Sequence, residues 1–169
     1  MRQGTFICMR VDSPVGPIEL TSNGAALCGV HMLGQDPTPS FAAGSKPGED
    51  AVLRAAATQL AEYFAGTRTR FDVPLHMGGT EFQRKVWSGL LKIPFGERTS
   101  YGELARRLGA VNASRAVGSA NRCNPIGIIV PCHRVVGSNG TLTGYAGGLP
   151  NKKWLLAHEA RVAGFELRG

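Results

Sequence analysis

Pro131-Cys132-His133-Arg134 sets a thiol beside an imidazole, the two side chains that nucleophilic cysteine chemistry needs. A free cysteine, with a pKa near ~8.5, is mostly protonated at neutral pH, so the thiol needs a base. Adjacent side chains in an extended segment point to opposite faces, so Cys132 and His133 are not expected to touch directly unless the backbone turns there. A bridging water is then the natural carrier of the thiol proton to the imidazole. The competing reading of Cys132 is a buried packing residue, the commonest fate of a free cysteine.

A third group would complete the arrangement. Glu159 lies in the last apolar-periodic stretch, with Trp154, Leu155 and Leu156, and a carboxylate there could accept the second N–H of His133. Sequence separation leaves that contact open. Cys8, Cys28, His31 and His76 have no close spacing such as Cys-x-x-Cys, so no metal is expected.

The elements that must position these groups follow from pattern. Ile126-Gly127-Ile128-Ile129-Val130 is apolar and bounded by Asn124-Pro125 and Pro131, which predicts a short buried segment ending in a turn. Pro131 narrows the conformations of the chain and so fixes the direction in which the thiol is presented. The first half, 1–79, breaks at Asp12-Ser13-Pro14-Val15-Gly16-Pro17 and at Ser22-Asn23-Gly24, predicting a meander of strands over residues 5–11, 18–21 and 25–33. Residues 35–48 carry prolines and glycines without periodicity and are expected to form an exposed loop. From Glu49, the spacing of Val52, Leu53, Ala56, Leu60, Tyr63 and Phe64 predicts a helix that Gly66 stops.

In the second half, 80–169, Thr80 and Gln83 form a capping box ahead of a helix faced by Phe82, Val86 and Leu90 and ended by Pro94 and Gly96. Ser100-Tyr101-Gly102-Glu103 repeats the device before Leu104, Ala105 and Leu108, with a stop at Gly109. A further helix over 113–122, with Asn112 as its cap, makes a helix-turn-helix candidate. Ala113, Ala116, Gly118, Ser119 and Ala120 leave that helix almost bare, with Arg115 projecting near its start. A bare helix with one long cation suits a narrow groove better than it suits reading base edges in the major groove.

Composition bounds the class of protein. The chain has 169 residues, 43% of them hydrophobic and 18% charged, as in a globular protein of one or two small domains. Nineteen basic against twelve acidic side chains leave a net charge of +7, which favours a polyanionic partner. The first residues hold no long apolar run, so neither a secretion signal nor a membrane span is expected. Reduced cysteines and a cytoplasmic location follow from that reading.

Asn124-Pro125, Ile129-Val130-Pro131-Cys132-His133-Arg134-Val135, Tyr145-Ala146-Gly147-Gly148 and Trp154-Leu155-Leu156-Ala157-His158-Glu159 together resemble the O6-alkylguanine-DNA alkyltransferases, also called methylated-DNA–protein-cysteine methyltransferases. The likeness is strongest from about Phe82 to Glu159 and weaker through Asp12-Ser13-Pro14-Val15-Gly16. It implies a small α/β N-terminal domain of ribonuclease-H-like type and a mainly helical C-terminal domain with a winged helix-turn-helix. It also implies cofactor-free, single-turnover repair of O6-alkylguanine, with O4-alkylthymine as a further candidate substrate, in double-stranded DNA approached through the minor groove. The protein would act as a monomer, with cooperative clustering on DNA left open.

The resemblance assigns Cys132 as alkyl acceptor, His133 as water-mediated base and Glu159 as its partner, with Asn124 holding the active-site turn. Tyr101 would donate to guanine N3. The carbonyls of Cys132 and Val135 would accept the exocyclic amine, and the Ala146 amide would contact O6 beside Tyr145. Arg115 would replace the extruded nucleotide, with Ala116, Ser119 and Ala120 against the DNA. Some relatives have proline at position 127 and serine at 146. The wall beside the alkyl group is therefore expected to be less bulky here, accepting groups larger than methyl without strong affinity for free O6-benzylguanine. Zinc ligands of some relatives are not reproduced residue for residue. Competing readings are a lesion sensor without transfer, whose relatives lack the cysteine, and a helix-turn-helix regulator.

Overall fold

A computed structural model describes residues 5–34 and 44–168, the last four of these by backbone alone. Turn-forming clusters cut the first part of the chain into β1 (Ile7–Val11), β2 (Ile18–Ser22) and β3 (Leu27–Met32), paired antiparallel in sequence order as the expected meander. A two-residue β4 (Lys46–Pro47) adds parallel to β1, so the end of the expected loop is a strand. Residues 35–43 of that loop lie outside the described residues. The sheet order is β3-β2-β1-β4.

Helix α1 (Ala51–Ala65) packs on this sheet through Leu53, Ala56, Leu60 and Tyr63. The Asp50 side chain accepts from Leu53 N at its start. At its end Gly66, with φ of 81°, lets its own N–H reach Tyr63 O while Thr67 N–H reaches Glu62 O.

Helix α2 (Glu81–Leu90) opens with both arms of the Thr80–Gln83 capping box and stops four residues before Pro94, earlier than expected. Helices α3 (Tyr101–Arg107) and α4 (Ser114–Arg122) form the helix-turn-helix, with Gly109 at φ of 73° in the turn. Asn112 is not the cap of α4: Ala113 holds that position, and no side chain caps it. Only the Ser100 arm of the second box forms, since the Glu103 carboxylate binds Arg106 and Arg107 instead. The Trp87 indole N–H donates to Ala120 O at 2.8 Å and fastens α4 onto α2. Strands β5 (Thr99–Ser100) and β6 (Val135–Val136) pair in parallel and tie the helix-turn-helix to the residues just after Cys132. Helix α5 (Leu149–Arg168) carries Glu159.

The outer edge of β3, whose residues are all buried, is where the two halves join. Leu27 N–H donates to Pro74 O and Leu27 O accepts from His76 N–H; further along, Val30 N–H donates to Pro125 O (3.0 Å) and Val30 O accepts from Gly127 N–H (2.9 Å). An unpaired strand edge is a liability, and here the Cys132 loop covers part of it. A continuous apolar core, from Ile18, Leu20 and Val30 to Ile126, Val130 and Leu155, runs through both halves.

Gly127 therefore contributes its N–H to the join. Gly127→Pro removes that donor and leaves the buried Val30 carbonyl short of a partner, a loss of about 1–3 kcal/mol. A urea midpoint below that of the unaltered protein, with the slope unchanged, is the expected measurement.

Candidate active site

The segment before Cys132 is buried as expected, but it is a chain of tight turns and not a strand. Ile129 N–H reaches back to Gly127 O across Ile128, whose φ is 68°. Val130 N–H returns to Ile126 O, Cys132 N–H to Val130 O across Pro131 (φ −82°, ψ 64°), and Arg134 N–H to Pro131 O. The Pro131 geometry is that of an inverse γ-turn, which a proline's fixed φ favours. A β-branched residue at positive φ is a steric outlier, costing on the order of 1–3 kcal/mol. Asn124 holds the coil from inside: its Nδ2 donates to Val130 O (2.8 Å) and its Oδ1 accepts from Ile126 N–H (3.0 Å). Cys132 opens a single 3-10 turn, Cys132–Arg134, with its thiol buried on the wall of a cleft.

Behind the thiol lies a charge network that unites two expected residues with two that pattern did not reveal. His133 Nε2 meets Glu159 Oε2 at 2.6 Å. Arg134 donates to both Glu159 oxygens (2.7 and 3.1 Å) and to Ile93 O, and the Tyr63 hydroxyl donates to Glu159 Oε2 at 2.6 Å. Burial pushes the Glu159 pKa up. The hydrogen bond and charge of His133, followed by those of Arg134, outweigh it and hold the carboxylate well below its usual range. His133 is fully buried, and burial lowers its pKa despite the carboxylate. At neutral pH the imidazole is thus uncharged beside an ionised glutamate, and its charge bears on Glu159 only once acid has protonated it. Its Nδ1 has no hydrogen-bond partner within the chain, among the described residues.

Burial also raises the pKa of the Cys132 thiol, against the opposing pull of Asn124 and Lys152. Lys152 is a third residue that sequence reasoning missed. It is buried, its Nζ donates to Thr143 O at 2.9 Å and sits 5.8 Å from the Tyr101 ring centroid, and burial lowers its pKa to about 8. Tyr101 itself begins α3, half-buried, with its hydroxyl 3.4 Å from the same Thr143 carbonyl. Asn121, buried on α4, donates through Nδ2 to Cys132 O at 3.2 Å, and Val135 N–H donates to that oxygen as well. The Cys132 carbonyl, expected to accept the exocyclic amine, is therefore already engaged by two donors.

The cleft gathers Cys132, Asn124, Tyr145 and Ala146 from the expected set and adds Arg122. Its cavity volume is about 10 Å³, room for about one water and far below a small-molecule pocket. The side chain of Val135 is wholly buried in β6. On α4, Arg115, Ala116 and Ser119 are exposed together, whereas Ala120 is turned into the core and its carbonyl is held by Trp87. Ala120 is thereby removed from the outward face. Gly127 lines the cleft, but a Cβ there would face Val30 O at 3.2 Å, so the missing side chain leaves no hole for an alkyl group. Among the described residues no group of three or more His, Cys, Asp or Glu is placed to hold a metal.

A small sheet-and-helix domain joined to a helix-turn-helix domain that carries a buried cysteine defines a two-part, DNA-binding class of protein. Residues 5–77 match the ribonuclease-like domain of 6-O-methylguanine DNA methyltransferase, and residues 81–161 match its DNA-binding domain. The chain is 50% identical over 152 residues to the methylated-DNA–protein-cysteine methyltransferase of Mycobacterium leprae, covering 90% of this chain and 91% of that one. A crystal structure of the Mycobacterium tuberculosis O6-methylguanine methyltransferase superposes with a TM-score of 0.85 at 48% identity, over 93% of this chain and 94% of the other. A crystal structure of Mycobacterium tuberculosis OGT in complex with DNA superposes at 0.84 and 47%, over 94% of each. The chain belongs to the methylated-DNA–protein-cysteine methyltransferase family.

The network fixes the sign of the pH dependence of stability. His133 stays neutral in the fold but takes a proton near ~6.5 when unfolded, and Glu159 stays ionised in the fold but takes one near ~4.3 when unfolded. In both cases the unfolded chain binds more protons, so stability is full above the unfolded value and falls as pH drops. His31, lowered by burial, acts in the same direction. Urea midpoints should decline as pH falls from neutrality through the histidine range and fall further in the carboxylate range. A midpoint that rises on acidification contradicts this assignment.

Proposed function

We propose that this chain repairs DNA by moving the alkyl group from O6 of guanine onto the Sγ of Cys132, once per molecule. The observation that carries the reading is a cysteine on the wall of a narrow cleft, followed by a histidine that is hydrogen-bonded to a buried carboxylate and has its other ring nitrogen unpartnered among the described residues. A buried polar atom without a partner calls for one, and a water between His133 Nδ1 and the thiol would fill both needs. The proton of Cys132 passes through that water to His133, and Glu159 stabilises the imidazolium. The sulfur attacks the alkyl carbon, a thioether forms, and the carbon–oxygen bond breaks with its electron pair leaving on the purine. Tyr101, at the start of α3, would donate to the purine as that charge appears, giving up its contact with Thr143 O.

The target base cannot be attacked while stacked, so it must turn out of the duplex at a cost of a few kcal/mol. The outward face of α4 offers Ser114, Ala116 and Ser119 around Arg115, little bulk with one long cation. This supports a minor-groove approach, with Arg115 filling the stack that the base has left. Arg106, Arg107 and Arg122 are also exposed on α3 and α4 and would meet phosphates. We place the division between the domains at 79/80 and take the protein to act as a cytoplasmic monomer. No helix among the described residues is long and apolar enough to cross a membrane.

Mixing the protein with a duplex containing one O6-methylguanine should add a single methyl mass to the peptide carrying Cys132. Cys132→Ser should abolish that gain while binding the duplex nearly as well. An unmodified Cys132 with the lesion intact would sink the proposal. Arg115→Ala should slow transfer in duplex by about tenfold or more but leave single-stranded substrate far less affected, because there is no stack to refill. Equal losses in both would remove Arg115 from that role.

A further inference from the structure

One wall of the cleft over Cys132 comes from the N-terminal half. Val30 and Met32 of β3 face Cys132, Ile128, Tyr145 and Gly147 across it. Met32 is buried, and Asn151 Nδ2 contacts its Sδ at 3.4 Å while also donating to Gly147 O at 2.9 Å. A Cβ at Gly147 would overlap Met32 Sδ and stand 2.8 Å from Tyr145 Cε2. The thioether thus occupies the space that a side chain at 147 would take. Across the cleft, Ile128 is branched and held at positive φ, so it has little freedom to retreat.

An alkyl group arriving on the Cys132 sulfur has to lie in this cleft, between a rigid isoleucine and an unbranched thioether. Methionine is the adaptable side chain of the two, with three rotatable bonds and a soft sulfur. We propose that Met32 is a specificity-determining residue for the transfer reaction: its thioether closes the N-terminal wall of the alkyl pocket and sets the size of group that Cys132 accepts. The inference rests on the transfer reaction proposed above. It places the selection of lesion size on the half of the chain that holds neither the nucleophile nor the helix-turn-helix. A group larger than methyl is accepted when Met32 swings off Asn151, and the loss of that contact is the penalty such groups meet.

The test uses two duplexes, each with one modified guanine, bearing O6-methyl or O6-benzyl. Rate constants for Cys132 alkylation are taken from intact-protein mass against time, and the readout is the ratio of benzyl to methyl. An apolar pocket discriminates by about tenfold or more per methylene-sized change, so Met32→Ala should raise the ratio by at least about tenfold. Met32→Leu conserves volume while removing the adaptable thioether, and should lower the ratio several-fold. Ratios within about twofold of the unaltered protein in both variants, each shown to be folded by thermal melting, overturn the inference, because a change at a pocket wall cannot be that neutral. Should Met32→Ala fail to fold, Met32→Leu decides alone by the same criterion. If the unaltered protein transfers methyl and the ratio does not move, only the role of Met32 is lost. If it transfers no methyl at all, the proposed function fails and this inference with it.

Discussion

The Glu159 carboxylate is the constraint to which the rest of the structure answers. Taking a carboxylate out of water costs several kcal/mol unless good geometry and enough donors compensate. The donors come from separate parts of the chain: Tyr63 from α1, His133 and Arg134 from the nucleophile loop, and a longer contact from Gly96 N–H. Arg134 in turn reaches Ile93 O beyond α2, so the guanidinium is itself satisfied only when that connection is in place. Neither half of the chain can hold this charge alone. Assembling the two halves and aligning the imidazole behind Cys132 are therefore one event. Breaking such a pair by removing one partner typically costs 3–5 kcal/mol, because the other charge stays buried.

The backbone of the nucleophile loop answers to a second constraint, the edge of the sheet. Pairing Pro125 and Gly127 with Val30 draws the chain along β3, and the next residues must then reverse within a short distance to bring Cys132 to the cleft. Successive tight turns around Ile128 and Pro131 achieve this, with most of the loop's backbone polar groups paired internally or with Asn124. The strain at Ile128 is held because the residues around it are buried and tied on both sides. A loop built this way has little freedom, which suits a thiol that must meet a carbon along one line.

Local signals in the sequence located most elements. Asp50, Gly66, Thr80 with Gln83, and Ser100 each act at the backbone groups beside them, so their effect is readable without knowing the fold. The pairing of His133 with Glu159 was legible through motif resemblance, although 26 positions separate them. What escaped was decided by tertiary contact. Tyr63 sits on an apolar helical face and reads as core, which its ring is, but its hydroxyl serves a carboxylate 96 residues away. Arg134 and Lys152 are cations, and cations are expected outside unless a partner is known. Ala120 looked equivalent to Ala116 by composition, and only the packing of Trp87 turns one inward. The run from Ile126 to Val130 has strand composition, but its hydrogen bonds close on themselves.

The same burial that shapes the site also governs when it reacts. In the free protein the thiol and the imidazole are both held neutral, so Cys132 is a poor nucleophile towards anything that merely diffuses past. In the proposed transfer, moving the proton to His133 would create a thiolate and an imidazolium where charge is costly, yet Glu159 is already fixed against the imidazole and the Lys152 ammonium already lies near the sulfur. The counter-charges are in place before the charges they stabilise, so little has to reorganise when the proton moves. Once the thioether has formed there is no anion left to stabilise and no second cysteine among the residues lining the cleft to take the group onward. Among the described residues lining the cleft, no other thiol or amine is present to attack that carbon–sulfur bond. Irreversibility is then a consequence of the cleft that makes the transfer feasible.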